Sequence, residues 1–386
     1  MRWGSAVSIM PDTDVAVAEV GSSIEGQLKG QDVDLLFVFA SSAHSKAWDR
    51  IAVELTDRFP LATVLGCSAG GVIGGGREIE AAPGLSVVAA SLPDVSLHTF
   101  ALDDPELPDP DKAAAFWSER LGLDPAQDPC FVLLPDPFTC DGGRLIAGLD
   151  LAFPGQVKIG GLASGGRSPG THRLLLDGAV RRSGVVGVAM VGDVQVDTVV
   201  AQGCRPMGPP FVVTASKDNV IISLDGLPAL SQLQQVFSTL GEDEQERFQA
   251  GPMVGLAVHE DSSEYLISNL VGMDRAAGVL AVGATVHVGQ RVRFQVLDAA
   301  VASTELDARL HACQSTPEGA LLFSCLGRGA RFFGLSDHDT DLFHSHLGGA
   351  AMGGFFCNGE IGPVHGRTWM HGYTSAFGLF RPRGWD

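Results

Sequence analysis

Val33–Ala40 (VDLLFVFA) is apolar at almost every position, the pattern of a strand covered on both faces. From Ser42 to Arg58 the spacing becomes helical, with a serine at the start and Trp48, Ile51, Ala52 and Leu55 on one face. Leu61–Leu65 predicts a second buried strand leading into a glycine-rich loop at 66–71. Gly84–Ser91 and Val95–Leu102 read as an antiparallel pair around the turn signal Pro93-Asp94. The plan then returns: strand Cys130–Leu134, helix Gly142–Ala152, strand Val157–Ile159, loop Gly160–Gly166, and strands Gly184–Val191 and Gln195–Ala201.

The two stretches match at a constant offset of 94 positions. Phe37-Val38 aligns with Phe131-Val132, Arg50 with Arg144, Leu55 with Leu149 and Phe59-Pro60 with Phe153-Pro154. Gly66, Ala69 and Gly71 align with Gly160, Ala163 and Gly165. Such agreement marks a duplication. A degenerate third copy follows, with a strand at Leu321–Phe323, a helix at Asp339–Leu347 and a loop at Met352–Glu360, where Gly353 and Gly359 stand for Gly66 and Gly71. Glycines recur where side chains do not, so the copies share a backbone shape that lets amides approach a ligand.

Between the second and third copies, Gly203–Pro210 interrupts regular structure. Helix Pro228–Leu240, a β-rich stretch from Met253 to Leu297 and helix Ser303–Cys313 come next. The expected fold is α/β: duplicated strand-helix-strand units with antiparallel strand extensions, in two domains packed together. Their expected spans are 1–217, containing the duplication at about 33–102 and 130–201, and 218–386.

At 386 residues the chain has room for two sizeable cores. A formal charge of −19 opposes nucleic acid and anionic membrane as partners. Seven scattered cysteines without a C-x-x-C pair fit reduced thiols, not a disulfide scaffold or structural zinc. No signal peptide or membrane-length apolar run is present, and a cytoplasmic location is expected.

Gly66-Cys67-Ser68-Ala69-Gly70 spells a nucleophile elbow. The following Gly71-Val72-Ile73-Gly74-Gly75-Gly76 cannot start the helix an elbow requires, the second copy has Leu162 in place of Ser68, and no histidine is marked as base. A hydrolase using Ser68 or Cys67 is therefore the weaker reading. His338, His344 and His346 among Asp337, Asp339 and Asp341 fit no standard metal spacing and read as a solvated acidic helix start. His365 and His371 are candidate haem or metal ligands, against the commoner role of isolated histidines in hydrogen bonding. More informative are Gly203-Cys204-Arg205-Pro206, Gly327-Arg328-Gly329 and Asn358-Gly359-Glu360. Arginines among glycines at strand ends suit a carboxylate or phosphate, and a facing glutamate suits an ammonium group. The competing reading is an internal arginine–carboxylate lock.

Gly354-Phe355-Phe356-Cys357-Asn358-Gly359-Glu360-Ile361-Gly362-Pro363, followed by His371-Gly372-Tyr373-Thr374-Ser375, resembles the FIST family. Gly66–Gly71, Gly203–Gly208 and Phe323–Gly329 match its pattern too, so the resemblance spans about residues 30–380. It implies a FIST-N plus FIST-C pair, the sensory domains of bacterial signalling proteins, binding small molecules such as amino acids. One branch resembles haem-dependent nitric-oxide sensors. The family has no settled catalytic residues, so none is carried over and no enzyme is expected. No cofactor is expected on the main reading, and haem belongs to the alternative. No output segment accompanies the pair here, so a separate signalling protein is the expected partner beside the ligand. The expected ligand-binding residues are Cys67, Ser68, Gly70, Gly71, Ser164, Arg205, Cys325, Arg328, Asn358 and Glu360.

Overall fold

The computed structural model describes residues 1–259 and 265–384. They form two compact units. The first comprises Met1–Ala201, Leu306–Met370 and the C-terminal stretch from Thr374, and the second Gln202–Glu305 with His371–Tyr373. The chain leaves the first unit and returns to it, and position 217 is the end of the strand Cys204–Lys217.

The first unit is three copies of one module, each a strand, a helix, a parallel strand pair joined by a second helix, a short hairpin and a closing strand. In the first module these are Arg2–Ser8, helix Thr13–Leu28, Leu35–Ser41, helix Trp48–Arg58, Thr63–Ala69, hairpin Gly71–Gly74/Arg77–Ile79 and Leu85–Ser91. The second repeats them as Val95–Leu102, Ala113–Leu121, Cys130–Pro135, Gly142–Ala152, Lys158–Gly161, Leu174–Leu176/Ala179–Arg181 and Val185–Gly192. The third runs Gln195–Ala201, Ala299–His311, Gly319–Cys325, His338–Leu347, Ala351–Cys357, Glu360–Val364/Arg367–His371 and Ser375–Arg381. The second unit interrupts this third module after its first strand and runs into its first helix, whose residues up to Glu305 it includes.

Each module builds a six-stranded sheet with the same strand order, and completes it with a hairpin from another module. The first module's parallel pair takes the hairpin 174–181 of the second, the second takes 360–371 of the third, and the third takes 71–79 of the first. The exchange closes a ring. It also corrects the expected antiparallel pairs. Leu85–Ser91 lies in the first sheet and Val95–Leu102 in the second, while Val185–Gly192 and Gln195–Ala201 divide between second and third. Pro93-Asp94 turns the chain from sheet to sheet, not strand to strand.

The three sheets face one shared core. Leu35, Phe37 and Phe39 point into it with Val132, Leu134, Leu321, Phe323 and Phe355. The alternate positions Leu36, Val38 and Ala40 pack outward against Val17, Ile24, Ile51 and Leu55 of the helices. Strands apolar on both faces follow directly from this arrangement.

In each parallel pair one glycine lies where the second strand presses on a carbonyl of the first. A Cβ at Gly66, Gly160 or Gly354 would fall onto the carbonyl oxygen of Val38, Leu133 or Leu322 respectively. The third member is thus Gly354, not Gly353. The expected loop at 66–71 is strand through Ala69, with Gly70 alone between it and Gly71–Gly74. Met352–Glu360 is likewise mostly strand. The expected helix from Ser42 starts at Trp48 after a short 3-10 turn at Ser42–His44, and no side chain caps it.

Among its described residues, the second unit pairs its strands antiparallel, and Cys204–Lys217 bonds to both Arg291–Leu297 and Val220–Leu224, which closes six strands into a barrel. Met207, Phe211, Ile221, Val254 and Phe294 fill it against Leu230 and Leu233 of helix Ala229–Thr239.

Candidate functional site

The parallel pairs end at Ser41 and Ala69, at Pro135 and Gly161, and at Cys325 and Cys357. Ligands of open α/β sheets gather beyond such carboxyl ends. Here the residues four positions beyond Gly66, Gly160 and Gly354 are equivalent, namely Gly70, Ser164 and Asn358, and hydrogen bonds join the segments that carry them. The Gly70 N–H donates to Ser164 Oγ at 2.8 Å, and that hydroxyl donates to the Phe356 carbonyl. The N–H groups of Ser164 and Gly165 both donate to the Ser68 carbonyl at 3.0 Å. Asn358 donates its side-chain amide to Ala163 O at 2.9 Å and its backbone N–H to Leu162 O at 3.1 Å. Gly70 and Asn358 are exposed beside Leu326 and Gly327, whereas Ser164 and Gly71 are buried.

Beneath this surface lies a buried charged group. The Asp339 carboxylate accepts Arg328 Nε at 3.2 Å and Nη2 at 3.1 Å, His338 Nδ1 at 2.8 Å and Ser324 Oγ at 3.1 Å, and it also accepts Ser375 Oγ. Burial pushes its pKa up, but the Arg328 guanidinium and these hydrogen bonds outweigh burial and hold it below the usual carboxylate range. Glu78 accepts the backbone N–H and hydroxyl of Thr340, at the start of helix His338–Leu347. Burial and then the Asp339 charge raise its pKa to about 8. Glu360 accepts the N–H and hydroxyl of Thr374 at 3.1 and 2.7 Å, and burial raises its pKa to about 7.

Of the expected site residues, Gly70, Gly71, Ser164 and Asn358 converge, and Cys325, Arg328 and Glu360 stand behind them. Arg328 is 2% exposed and its fork is already committed to Asp339, with Nη1 alone lacking a partner. The internal lock weighed against an open carboxylate clamp is therefore present, with Asp339 as its acid. Asp339 and His338 are buried, which corrects their reading as part of a solvated helix start. Arg205 belongs to the second unit and pairs there with the buried Asp298 at 2.8 Å. Cys67 is a core residue of the first sheet.

Ser68 sits inside a strand, not on an elbow, and is 3% exposed. Unforeseen in the sequence, His172 lies 3.5 Å from its hydroxyl and Asp136 is close enough to act on that ring electrostatically. The nitrogen facing Ser68 already accepts the Gly166 N–H at 3.2 Å, and Ser68 Oγ accepts the Arg173 N–H at 3.0 Å. Both groups fasten the 162–173 connection to the strand. No sequence signal pairs Ser68 with a histidine 104 positions away.

Among the described residues no cluster of three metal-ligating side chains occurs, and no helix is long and apolar enough to cross a membrane. His371 is 3% exposed, so an axial-ligand role would require its packing to open, while His365 stands exposed in a hairpin turn. Two open clefts of about 980 and 870 Å³ lie elsewhere in the first unit, near Arg381 and Trp3, and none of the expected site residues lines them.

Two family models match the chain, FIST N domain over residues 34–227 and FIST C domain over 229–363. The uncharacterized protein Rv0628c of Mycobacterium tuberculosis is 37% identical over 98% of this chain and 100% of its own. The uncharacterized protein Mb0898c of Mycobacterium bovis is 36% identical over 98% and 99%. A solved structure, that of cyanuric acid hydrolase from A. caulinodans, is similar at a TM-score of 0.36 and 10% identity over 99% of both chains. A likeness at that level bears on neither fold nor chemistry.

Proposed function

The chain belongs to the FIST family, and on that premise we propose that it is a small-molecule sensory module whose ligand is an amino acid or a similar small polar metabolite. The ligand lies over the carboxyl ends of the three parallel pairs, against Gly70, Ser164 and Asn358. What supports this is that three equivalent chain segments are joined by hydrogen bonds, with Gly70 backbone and the Asn358 side-chain amide exposed over the buried Ser164. Asn358 reads an amine or hydroxyl. Arg328 contributes its field and the remaining Nη1 donor, not a free fork. A separate signalling protein receives the output.

A panel of amino acids and related metabolites, screened by thermal shift and confirmed by calorimetry, tests the reading. A ligand at 100 times its Kd stabilises by about 2.7 kcal/mol. At least one compound raises the melting temperature of the wild type, and Asn358→Ala removes that rise, its unliganded stability falling only by the roughly 1 kcal/mol of the bond to Ala163 O. A flat response from folded wild-type protein, or a rise that Asn358→Ala and Ser164→Ala both keep, overturns it.

A further inference from the structure

Cys325 and Cys357 are direct neighbours in register at the ends of adjacent parallel strands. Such strands run about 4.8 Å apart, inside the Cα separation of roughly 4.4–6.8 Å that a disulfide requires. Residues opposed in register share a face of the sheet, so both side chains leave on the same side. The thiols differ in surroundings. Cys325 is partly exposed and its sulfur accepts the Gly327 N–H at 3.5 Å, whereas Cys357 is fully buried. The single S–H of Cys357 has two acceptors in reach, the Ser324 carbonyl at 3.3 Å and Glu360 Oε1 at 3.4 Å. The equivalent pair in the first module is Ser41 opposite Ala69, so the fold does not need sulfur there.

We propose that Cys325 and Cys357 are a peroxide-reactive thiol pair, with Cys325 the attacking sulfur, Cys357 the resolving sulfur and Glu360 the acceptor of its proton. The Cys325 thiolate attacks the outer oxygen of a hydroperoxide. The S–O bond forms, the O–O bond breaks, and the departing alkoxide or hydroxide takes up the proton that the thiol lost. Cys357 then passes its proton to Glu360 and attacks the sulfenic sulfur. The S–S bond forms, the S–O bond breaks, and the leaving hydroxide recovers the proton from Glu360 as water. Burial raises the Cys357 thiol well above its ordinary pKa and Glu360 to about 7, in keeping with a resolving sulfur that needs a base. The bond would tie together the strand ends beneath Leu326 and Asn358, whatever the surface above binds.

The full-length protein is exposed to hydrogen peroxide or tert-butyl hydroperoxide near neutral pH, alkylated with N-ethylmaleimide and digested without reductant. A 325–357 linked peptide forms and disappears with dithiothreitol. Cys325→Ser abolishes it and leaves Cys357 as thiol. Cys357→Ala, which keeps an apolar side chain in the core, accumulates a dimedone-reactive sulfenic acid at Cys325 several-fold above wild type. Glu360→Gln slows the linkage without slowing loss of the Cys325 thiol. Cys325 recovered fully alkylated after peroxide, or oxidised beyond sulfenic acid with Cys357 still a thiol in wild type, overturns the proposal. Cys325→Ser lies near the surface and decides between these outcomes even if Cys357→Ala fails to fold.

Discussion

Replacing Arg328 by methionine tests whether the buried charged group holds the third module together. The side chains of Arg328 and Asp339 are 1% and 2% exposed, so the change leaves a carboxylate out of water without its cation. Breaking a buried pair in this way costs about 3–5 kcal/mol. His338 and the hydroxyls of Ser324 and Ser375 still donate to Asp339, and the methionine stem keeps some packing against Phe333, over whose ring the guanidinium sits at 5.0 Å. The lower end, about 3 kcal/mol, is therefore expected, which at roughly 2–4 °C per kcal/mol lowers the melting temperature by about 6–12 °C. The pH dependence carries the sharper test. In wild type the depressed Asp339 pKa adds stability above the unfolded carboxylate value, and that stability is lost as pH falls. In the variant, burial acts with less opposition and raises the same pKa, so protonation relieves the penalty on acidification. The deficit, measured by urea unfolding, is largest near neutral pH and shrinks towards about pH 4. Arg328→Met/Asp339→Leu recovers most of it, since an apolar pair replaces a buried ionic one at little cost. A deficit under about 1 kcal/mol, or one that does not change with pH, refutes the reasoning.

Gly354→Ala and Gly160→Ala each drive a methyl group into a backbone carbonyl of the neighbouring strand. Each lowers stability by about 3 kcal/mol or more, while Gly349→Ala, where nothing lies within 4 Å, changes the urea midpoint little. Equal midpoints for Gly354→Ala and Gly349→Ala would count against the close-approach argument. Glu78, with a folded pKa of about 8 against an ordinary 4.5, binds more protons folded than unfolded between those values, so its contribution falls as pH rises through that window. Glu78→Gln flattens this decline, and unfolding curves at pH 5 and 8.5 that keep the wild-type spacing would show Glu78 is not its source.

Phe37-Val38 and Phe131-Val132 made the first two modules legible, because both-face burial leaves an unbroken apolar run and because the Phe-Pro and glycine positions keep the same spacing. Helix Gly142–Ala152 and strands Val95–Leu102 and Gln195–Ala201 lie where periodicity predicts them. Partner choice was not legible. Leu85–Ser91 and Val95–Leu102 are separated by a short turn and have the pattern of a hairpin, and only the closing of three sheets into a ring sends them to different sheets. Asp339 misled for a related reason. An aspartate in the first turn of a helix looks solvated, and Arg328, eleven residues away across an irregular connection, gives no local sign that it covers that turn. Gly70, Ser164 and Asn358 were readable as candidates, but the bonds that join their segments, Gly70 to Ser164 and Asn358 to Leu162 and Ala163, run between modules and leave no local sign in the sequence.

The ring also explains why similar backbones carry unequal chemistry. Each second parallel strand must pass a carbonyl of the first at a distance only glycine allows, so Gly66, Gly160 and Gly354 recur. Three residues beyond Gly66 and Gly354, and opposite them, the constraint ends: Ser41 faces Ala69 in one module and Cys325 faces Cys357 in another. One step further the positions are glycine, serine and asparagine. A ligand gripped by three identical ends would be read only for its symmetry, whereas these ends offer a bare backbone, a hydroxyl already spent on its neighbours and an exposed amide. The buried Arg328–Asp339 pair and the thiol pair both fall in the third module, the one interrupted by the second unit. If the proposed ligand surface and thiol pair hold, selectivity and response to oxidant reside in that module, with the other two fixing the geometry against which it acts.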